Sequence, residues 1–255
     1  MKALWTPSES FIKKTNIFKF QKFLEKDIKK KFTNYEKLWK WSSDNKEIFW
    51  LKLSEYLNIT VHKKKNFISY KNNKNFIDCV FFNNSEINYY HEIDKLHSDS
   101  IAIKFLSENN YSNHMSYKNL HNRVNSLAWY FKEKKLKKGD RVVGYLPNIP
   151  DTIICLLACA KLGLVWSSCS PDFGVKAVID RFRQLNPKIL IICDYYIYNG
   201  KKFNYSNQLA KIQKILQIPH ILKTAYPSKS SKKLDLEKIY QKYQNNKALK
   251  TTFVS

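Results

Sequence analysis

At 255 residues, with 44% apolar and 15% aromatic composition, the chain has enough core-forming material to exclude disorder throughout and to build one large domain or two modest ones. Its net charge of +24 raises nucleic acid as a partner, because any strongly basic surface releases counterions on meeting phosphates. Only four of the 45 basic residues are arginine (Arg123, Arg141, Arg181 and Arg183), the residue that planar bidentate recognition favours, and the lysines are spread along the whole chain, so no specific nucleic-acid partner is expected.

The first part of the chain reads as helical. Its start, Met1-Lys-Ala-Leu-Trp-Thr-Pro7, lacks the apolar core and small-residue cleavage site of a secretory signal. Thr6-Pro7-Ser8-Glu9 has the capping-box spacing with proline at the first helical position, and Thr33-Asn34-Tyr35-Glu36 repeats the cap ahead of Leu38, Trp39 and Trp41. Ser43 or Asp44 opens a third helix whose apolar face includes Ile48 and Leu51. The cluster of Trp39, Trp41 and Trp50 reads as packing, since aromatic residues at helical spacing usually serve a core. Residues 58–75, rich in lysine and asparagine, read as a surface connection with a short strand at Phe67-Ile-Ser-Tyr70. Residues 76–82 and a short helix over 86–96 follow.

A second unit starts near Ser98. Residues 100–106 alternate as a strand, Asn109-Asn110 supplies a turn, and Ser116 caps a helix carrying Leu120, Val124, Leu127, Ala128 and Phe131. From Gly139 the pattern alternates strictly: strand 141–146, helix 151–162 ended by Gly163, strand 164–168, helix 175–185, strand 188–193. Crossovers of this length join parallel strands, so the fold class is α/β, with a helical N-terminal region followed by an open, mostly parallel βαβ sheet. Gly144 falls inside a strand, which suggests close approach of a neighbouring backbone. Residues 207–216 and 234–243 are further helices, separated by the lysine- and serine-rich loop 228–233, and the last eleven residues show no partner. The longest apolar run, Ile153 to Trp166, is broken by Lys161 and Gly163 and falls short of the ~20 residues that span a bilayer, so no membrane partner is expected. Cys155, Cys159, Cys169 and Cys193 lie in or beside apolar segments, as buried thiols do in a reducing compartment; a cytoplasmic protein is expected. Cys155 and Cys159 lie at i,i+4, yet no further ligand completes a zinc site, and no metal site is assigned.

In an open parallel sheet, ligands gather beyond the carboxyl ends of the strands, which gives weight to three loops: 147–150, 167–174 and 194–202. In the second, Pro171 fixes the backbone before Asp172, and Gly174 opens a helix whose first amides favour anions; Ser170 and Asp172 also read as simple caps for that helix. In the third, Asn199-Gly200 forms a turn beside Lys201 and Lys202, point charges suited to phosphate or merely an ordinary charged turn. Gly139-Asp-Arg-Val-Val-Gly144 has P-loop glycine spacing, but Tyr145 replaces the required lysine and the motif overlies a strand. The six histidines stand without acid–base pairing at motif spacing.

Taken together, Leu4-Trp5-Thr6-Pro7-Ser8, Tyr35-Glu-Lys-Leu-Trp-Lys-Trp-Ser42, Gly139-Asp-Arg-Val-Val-Gly-Tyr-Leu-Pro-Asn148, Trp166-Ser-Ser-Cys-Ser-Pro-Asp-Phe-Gly174 and Tyr198-Asn-Gly-Lys201 resemble, in the same order, segments of the N-terminal portion of the acetoacetyl-CoA synthetases. These are acetoacetate–CoA ligases of the AMP-forming, adenylate-forming superfamily. The resemblance implies a ligase that forms an acyl-adenylate from ATP and acetoacetate and then transfers the acyl group to CoA, with ATP, Mg and CoA used by the complete enzyme. It implies a helical N-terminal region over 1–97 and, over 98–255, the first part of the AMP-binding domain, incomplete before its phosphate loop. By the same resemblance, Ser170, Pro171, Asp172, Phe173 and Lys201 border or bind CoA, Tyr198 replaces a second basic residue, and no catalytic residue lies within this chain. Phe81-Phe-Asn-Asn-Ser-Glu-Ile-Asn-Tyr89 departs from the family's proline- and glycine-containing turn, which leaves the local turn open. The groups that offset charge at the α-phosphate are expected beyond Ser255, so the chain alone is expected to be inactive. Acetoacetate and CoA are then the small-molecule partners of the whole ligase, with a separately encoded C-terminal part as a further partner. A non-catalytic CoA- or partner-binding module is the alternative, and a basic nucleic-acid-binding protein a weaker one.

Overall fold

The computed structural model describes residues 4–62, 68–70, 77, 79–229 and 232–255. It divides into two compact units, Met1–Ile87 and Asn88–Val254.

The first unit is mainly helical: α1 (Glu9–Lys14), α2 (Asn16–Ile28), α3 (Tyr35–Asp44) and α4 (Lys46–Tyr56), then the strands β1 (Ile68–Tyr70) and β2 (Cys79–Phe81). The first cap falls on Ser8, whose Oγ accepts from the Phe11 amide at 3.2 Å, rather than on Thr6. Asn34 rather than Thr33 caps α3, accepting from the Lys37 amide at 3.0 Å. A shift of one or two places follows because several neighbouring residues in each motif can supply the accepting oxygen. Phe20, Leu24, Phe32, Leu38 and Trp41 form the buried core, with Phe49, Leu53 and Tyr56 packed on it. Of the three tryptophans expected to pack, Trp41 is buried, while Trp39 and Trp50 are exposed. Ile48 also faces outward, so the apolar face of α4 is Phe49–Leu53–Tyr56. Glu25 crosses this unit, accepting from Gln21 Nε2 (2.8 Å), Lys22 Nζ (2.7 Å) and the Phe32 amide (2.9 Å). Strand β1 pairs antiparallel with β2; Phe67, Phe76 and most of the lysine-rich connection lie outside the described residues. The turn after β2 forms without proline or glycine. Phe82 and Asn84 take left-handed backbone (φ 50° and 59°), and the Ser85 amide donates to the Phe82 carbonyl at 2.9 Å.

The second unit runs α5 (Tyr89–Asp94), β3 (Ile101–Leu106), β4 (Ser112–Ser116), α6 (Tyr117–Glu133), β5 (Arg141–Tyr145), α7 (Pro150–Leu162), β6 (Val165–Cys169), α8 (Val175–Arg183), β7 (Ile189–Cys193), β8 (Tyr195–Tyr198), β9 (Lys201–Asn204), α9 (Ser206–Leu216), β10 (His220–Thr224) and α10 (Asp235–Tyr243). The expected parallel sheet is present, with strand order β10-β7-β5-β6. Right-handed crossovers put α7 on one face and α8 with α9 on the other, in keeping with the packing of α6 on α7 and of α8 on α9. All five residues of β7 are buried, which is why it reads as a continuous apolar run rather than an alternating one. Four strands went unforeseen: β4, paired with β3; β8 and β9, paired with each other within the expected loop 194–202; and β10.

Two sets of close contacts hold neighbouring elements together. Gly144 pairs with Ser168 across β5 and β6, and a Cβ at Gly144 would lie 2.6 Å from Cη2 of Trp166. The space is therefore needed by a neighbouring side chain, not by a neighbouring backbone. The last residues also have partners, contrary to expectation. The Thr252 amide donates to the Lys161 carbonyl (2.8 Å), and Asn88 Nδ2 donates to the carbonyls of Thr252 and Ala160 (2.6 Å each). Asn88 is buried and also caps α5, its Oδ1 accepting from the Tyr90 amide at 2.8 Å. One side chain thus ties together the start of α5, the end of α7 and the tail.

Candidate functional site

The loop 170–174 leaves the carboxyl end of the edge strand β6 and enters α8. A turn closes it, with the Phe173 amide donating to the Ser170 carbonyl at 3.1 Å. Tyr145, the last residue of β5, holds it from below: its hydroxyl lies 3.0 Å from the Pro171 carbonyl and 2.9 Å from the Phe173 carbonyl, donating toward both. Tyr145 is 2% exposed, and burial pushes its phenol up to about 12, so it remains a neutral donor across the ordinary pH range.

Gly174 is the N-cap of α8, with extended backbone and no side-chain cap hydrogen bond. Capping by Ser170 or Asp172 is thereby overturned: both side chains are exposed, and the first-turn amides of α8 keep no internal partner, the condition under which a helix start favours an anion. Arg181, two turns on, lies with its guanidinium 5.2 Å from the centre of the Phe173 ring. Burial pushes the Cys169 thiol up despite the opposing effect of Arg181, so this cysteine is a packed neutral group.

A cleft of about 440 Å³ opens beside the loop. Its walls are residues 171–175 on one side and Tyr145, Tyr196, Asn207, Gln208 and Lys211 on the other. Three of the residues expected around CoA, Pro171, Asp172 and Phe173, therefore line one cavity. Ser170 starts the loop but is outside the lining, and so is Lys201. Lys201 is exposed at the first position of β9, opposite Tyr198. Between them Asn199 and Gly200 both have positive φ (49° and 70°), the backbone that a two-residue hairpin turn requires and that Asn-Gly supplies at least cost. The turn is tethered by the Gly200 amide, which donates to Glu108 Oε2 at 2.9 Å. What the sequence described as a charged turn is thus a tethered hairpin, which presents Tyr196 to the cleft from one strand and Lys201 to solvent from the other.

Lys211 was missed. It stands on α9, and only the antiparallel hairpin β8–β9, which turns the chain back before α9 begins, carries it to the cleft. The available signal was its place in the second turn of a helix directly following a phosphate-type loop. Chemically, the cleft offers uncapped amides, a lysine, and aromatic and amide surface, a set suited to an anionic group attached to a larger polar molecule.

Residues 91–252 match the model of the AMP-binding enzyme family. The acetoacetyl-coenzyme A synthetase of Rhizobium meliloti is 28% identical over 87% of this chain and 34% of its own length. The acetoacetyl-CoA synthetase of Macaca fascicularis is 30% identical over 93% of this chain and 35% of its own. The chain thus spans about a third of the length of the curated relatives it matches. Among solved structures, the acetoacetyl-CoA synthetase from Streptomyces lividans superposes with a TM-score of 0.87 at 26% identity, covering all of this chain and 40% of that one. No helix among the described residues is long and apolar enough to cross a membrane.

Proposed function

Since the chain belongs to the AMP-binding enzyme family, we propose that it forms the N-terminal portion of an acetoacetate–CoA ligase and supplies part of the CoA face of that enzyme. The observation that carries this reading is the cleft beside loop 170–174, in which the residues of the Trp166–Gly174 motif meet uncapped helix amides and Lys211. In this reading Pro171, Asp172 and Phe173 shape the wall, while the α8 amides and Lys211 meet a negatively charged part of CoA. Ser170 sets the loop's entry, and Lys201 adds a positive charge at the hairpin. ATP and magnesium serve the whole ligase, and none of the residues present is assigned to either. Residues 88–254 would then be the first part of the adenylation domain, preceded by a helical region. All five cysteines are free, as suits a reducing, cytoplasmic setting.

A graft tests the proposal. Residues 1–255 replace the matching part of the Streptomyces lividans synthetase, and formation of acetoacetyl-CoA from acetoacetate, ATP and CoA is measured. Turnover that depends on acetoacetate, with a CoA requirement weakened by Lys211→Ala, supports it. A folded graft that binds ATP and forms no acetoacetyl-CoA overturns it.

A further inference from the structure

Away from the cleft, three side chains that are distant in sequence converge on one point of the second unit: Asp94, the last residue of α5; His97, in the connection after it; and His121, in the second turn of α6. Their ligand atoms all lie within 4.8 Å of one another. Asp94 Oδ1 is 3.5 Å from His121 Nδ1 and 3.8 Å from His97 Nε2. The two imidazole rings lie 4.6 Å apart, centre to centre.

The hydrogen bonds around His121 decide which atoms point inward. Its Nε2 lies 3.3 Å from the Leu96 carbonyl, and a carbonyl can only accept, so the proton sits on Nε2. In the neutral ring this leaves the Nδ1 lone pair directed at the Asp94 carboxylate. A lone pair facing a carboxylate is not an ion pair; the two acceptors need something positive between them. Tyr90 meets part of the need: its hydroxyl is 2.9 Å from Asp94 Oδ1 and 3.0 Å from His121 Nδ1. It has one proton for two acceptors.

We propose that Asp94, His97 and His121 form a binding site for a divalent transition-metal ion of the zinc class, with Tyr90 as a hydrogen-bond donor to the Asp94 carboxylate. Zinc takes imidazole nitrogen and carboxylate oxygen at about 2.0–2.2 Å in tetrahedral geometry, which separates ligand atoms by about 3.3 Å. The Asp94–His121 and Asp94–His97 pairs are already near that spacing. The Leu96 carbonyl on His121 Nε2 is the outer hydrogen bond that metal-bound histidines characteristically make, and it fixes ring and tautomer. His97 is exposed, which leaves the remaining coordination position to water or an exchangeable ligand. A nearby opposing charge is Lys161, buried at 1% exposure with Nζ 4.6 Å from the centre of the Tyr90 ring. A bound ion would cross-link the connection after α5 to α6.

The test uses the full chain, free of any histidine tag and stripped with a chelator, and Co²⁺ as a spectroscopic probe. The expected result is one equivalent of Co²⁺ with visible d–d bands of tetrahedral strength, displaced by Zn²⁺, and a melting temperature raised by Zn²⁺. His97→Gln, at an exposed position that leaves the fold intact, should weaken binding by roughly tenfold or more, since even outer partners of a metal ligand are worth ten- to a hundredfold. His114→Gln, on the exposed strand β4, should change nothing. Absence of one-to-one binding, binding unaffected by His97→Gln, or a thiolate-to-cobalt charge-transfer band that places the ion on cysteine would each overturn the proposal.

Discussion

The register of β5 against β6, and with it the root of the Trp166–Gly174 motif, depends on a missing side chain at Gly144. A Cβ there would stand 2.6 Å from Trp166 Cη2, 2.8 Å from Cζ2 and 3.1 Å from a Leu146 methyl, whereas carbon atoms at rest stay about 3.5–4 Å apart. The overlap of about 1 Å falls on the rigid indole, wedged against a strand that cannot retreat without breaking the β5–β6 ladder. Overpacking of this kind costs about 1–3 kcal/mol, offset by the ~0.5–1 kcal/mol that alanine gains over glycine inside a strand. Gly144→Ala is therefore expected to lose about 1–2 kcal/mol. Trp166→Phe removes the two clashing atoms, so although that substitution alone costs about 1 kcal/mol of half-buried surface, the double variant should be more stable than the sum by ~1 kcal/mol or more. Native-state hydrogen exchange of the Val143, Gly144 and Tyr145 amides measures this within the second unit. If Gly144→Ala exchanges as the parent does, or if the two effects simply add within about 0.5 kcal/mol, the steric account is wrong.

Asn88→Ala removes the cap of α5 and strips the carbonyls of Ala160 and Thr252, costing about 1–3 kcal/mol by urea unfolding; Asn88→Asp, which keeps the cap but turns a carboxylate on those carbonyls, should be worse, and equal stability of parent and Asn88→Asp would contradict the bonding described. Burial raises the Glu25 carboxyl, but its bonds from Gln21, Lys22 and the Phe32 amide outweigh this and hold it at about 2 against an ordinary 4.5. A depressed carboxyl contributes stability that is present above pH 4.5 and is lost as pH falls toward 2, so Glu25→Gln should destabilise the helical unit by about 1–3 kcal/mol near neutrality and progressively less in acid; a penalty that stays constant in acid titrations followed by circular dichroism would refute the assignment. In the grafted ligase, Lys201→Ala should raise the KM for CoA and leave that for ATP, by up to ~1–3 kcal/mol if a charged hydrogen bond is lost; an unchanged CoA dependence would remove Lys201 from the site.

The sheet was legible because its elements declare themselves locally. Strand β7 is apolar at every position since both faces are covered, Ser116 and Gly163 mark the start of α6 and the end of α7 by cap chemistry, α7 is a longer, almost wholly apolar run, and α8 and α9 have helical periodicity. The missed strands lack such signals. Strand β4, Ser112–Ser116, is polar and mostly exposed, and β9, Lys201–Asn204, is exposed at every position; each exists because a partner strand lies beside it. Gly144 was visible as an anomaly, but its cause lies on the next strand.

Among so many lysines, the few that differ from the rest are distinguished only by what the fold sets around them. Lys161 closes the sequence pattern of α7 like any final-turn cation, yet it is buried against the Tyr90 ring and its carbonyl receives the tail. Lys211 resembles its neighbour Lys214 until the β8–β9 hairpin turns α9 toward loop 171–175. Histidine poses the same problem: no spacing in the sequence links His97 to His121, because the link is made by α5 ending where the second turn of α6 passes. Local chemistry thus specifies the scaffold and the motif loop, whereas charge and coordination at a point depend on crossings that bring distant residues together, and those are set by strand order rather than by residue spacing.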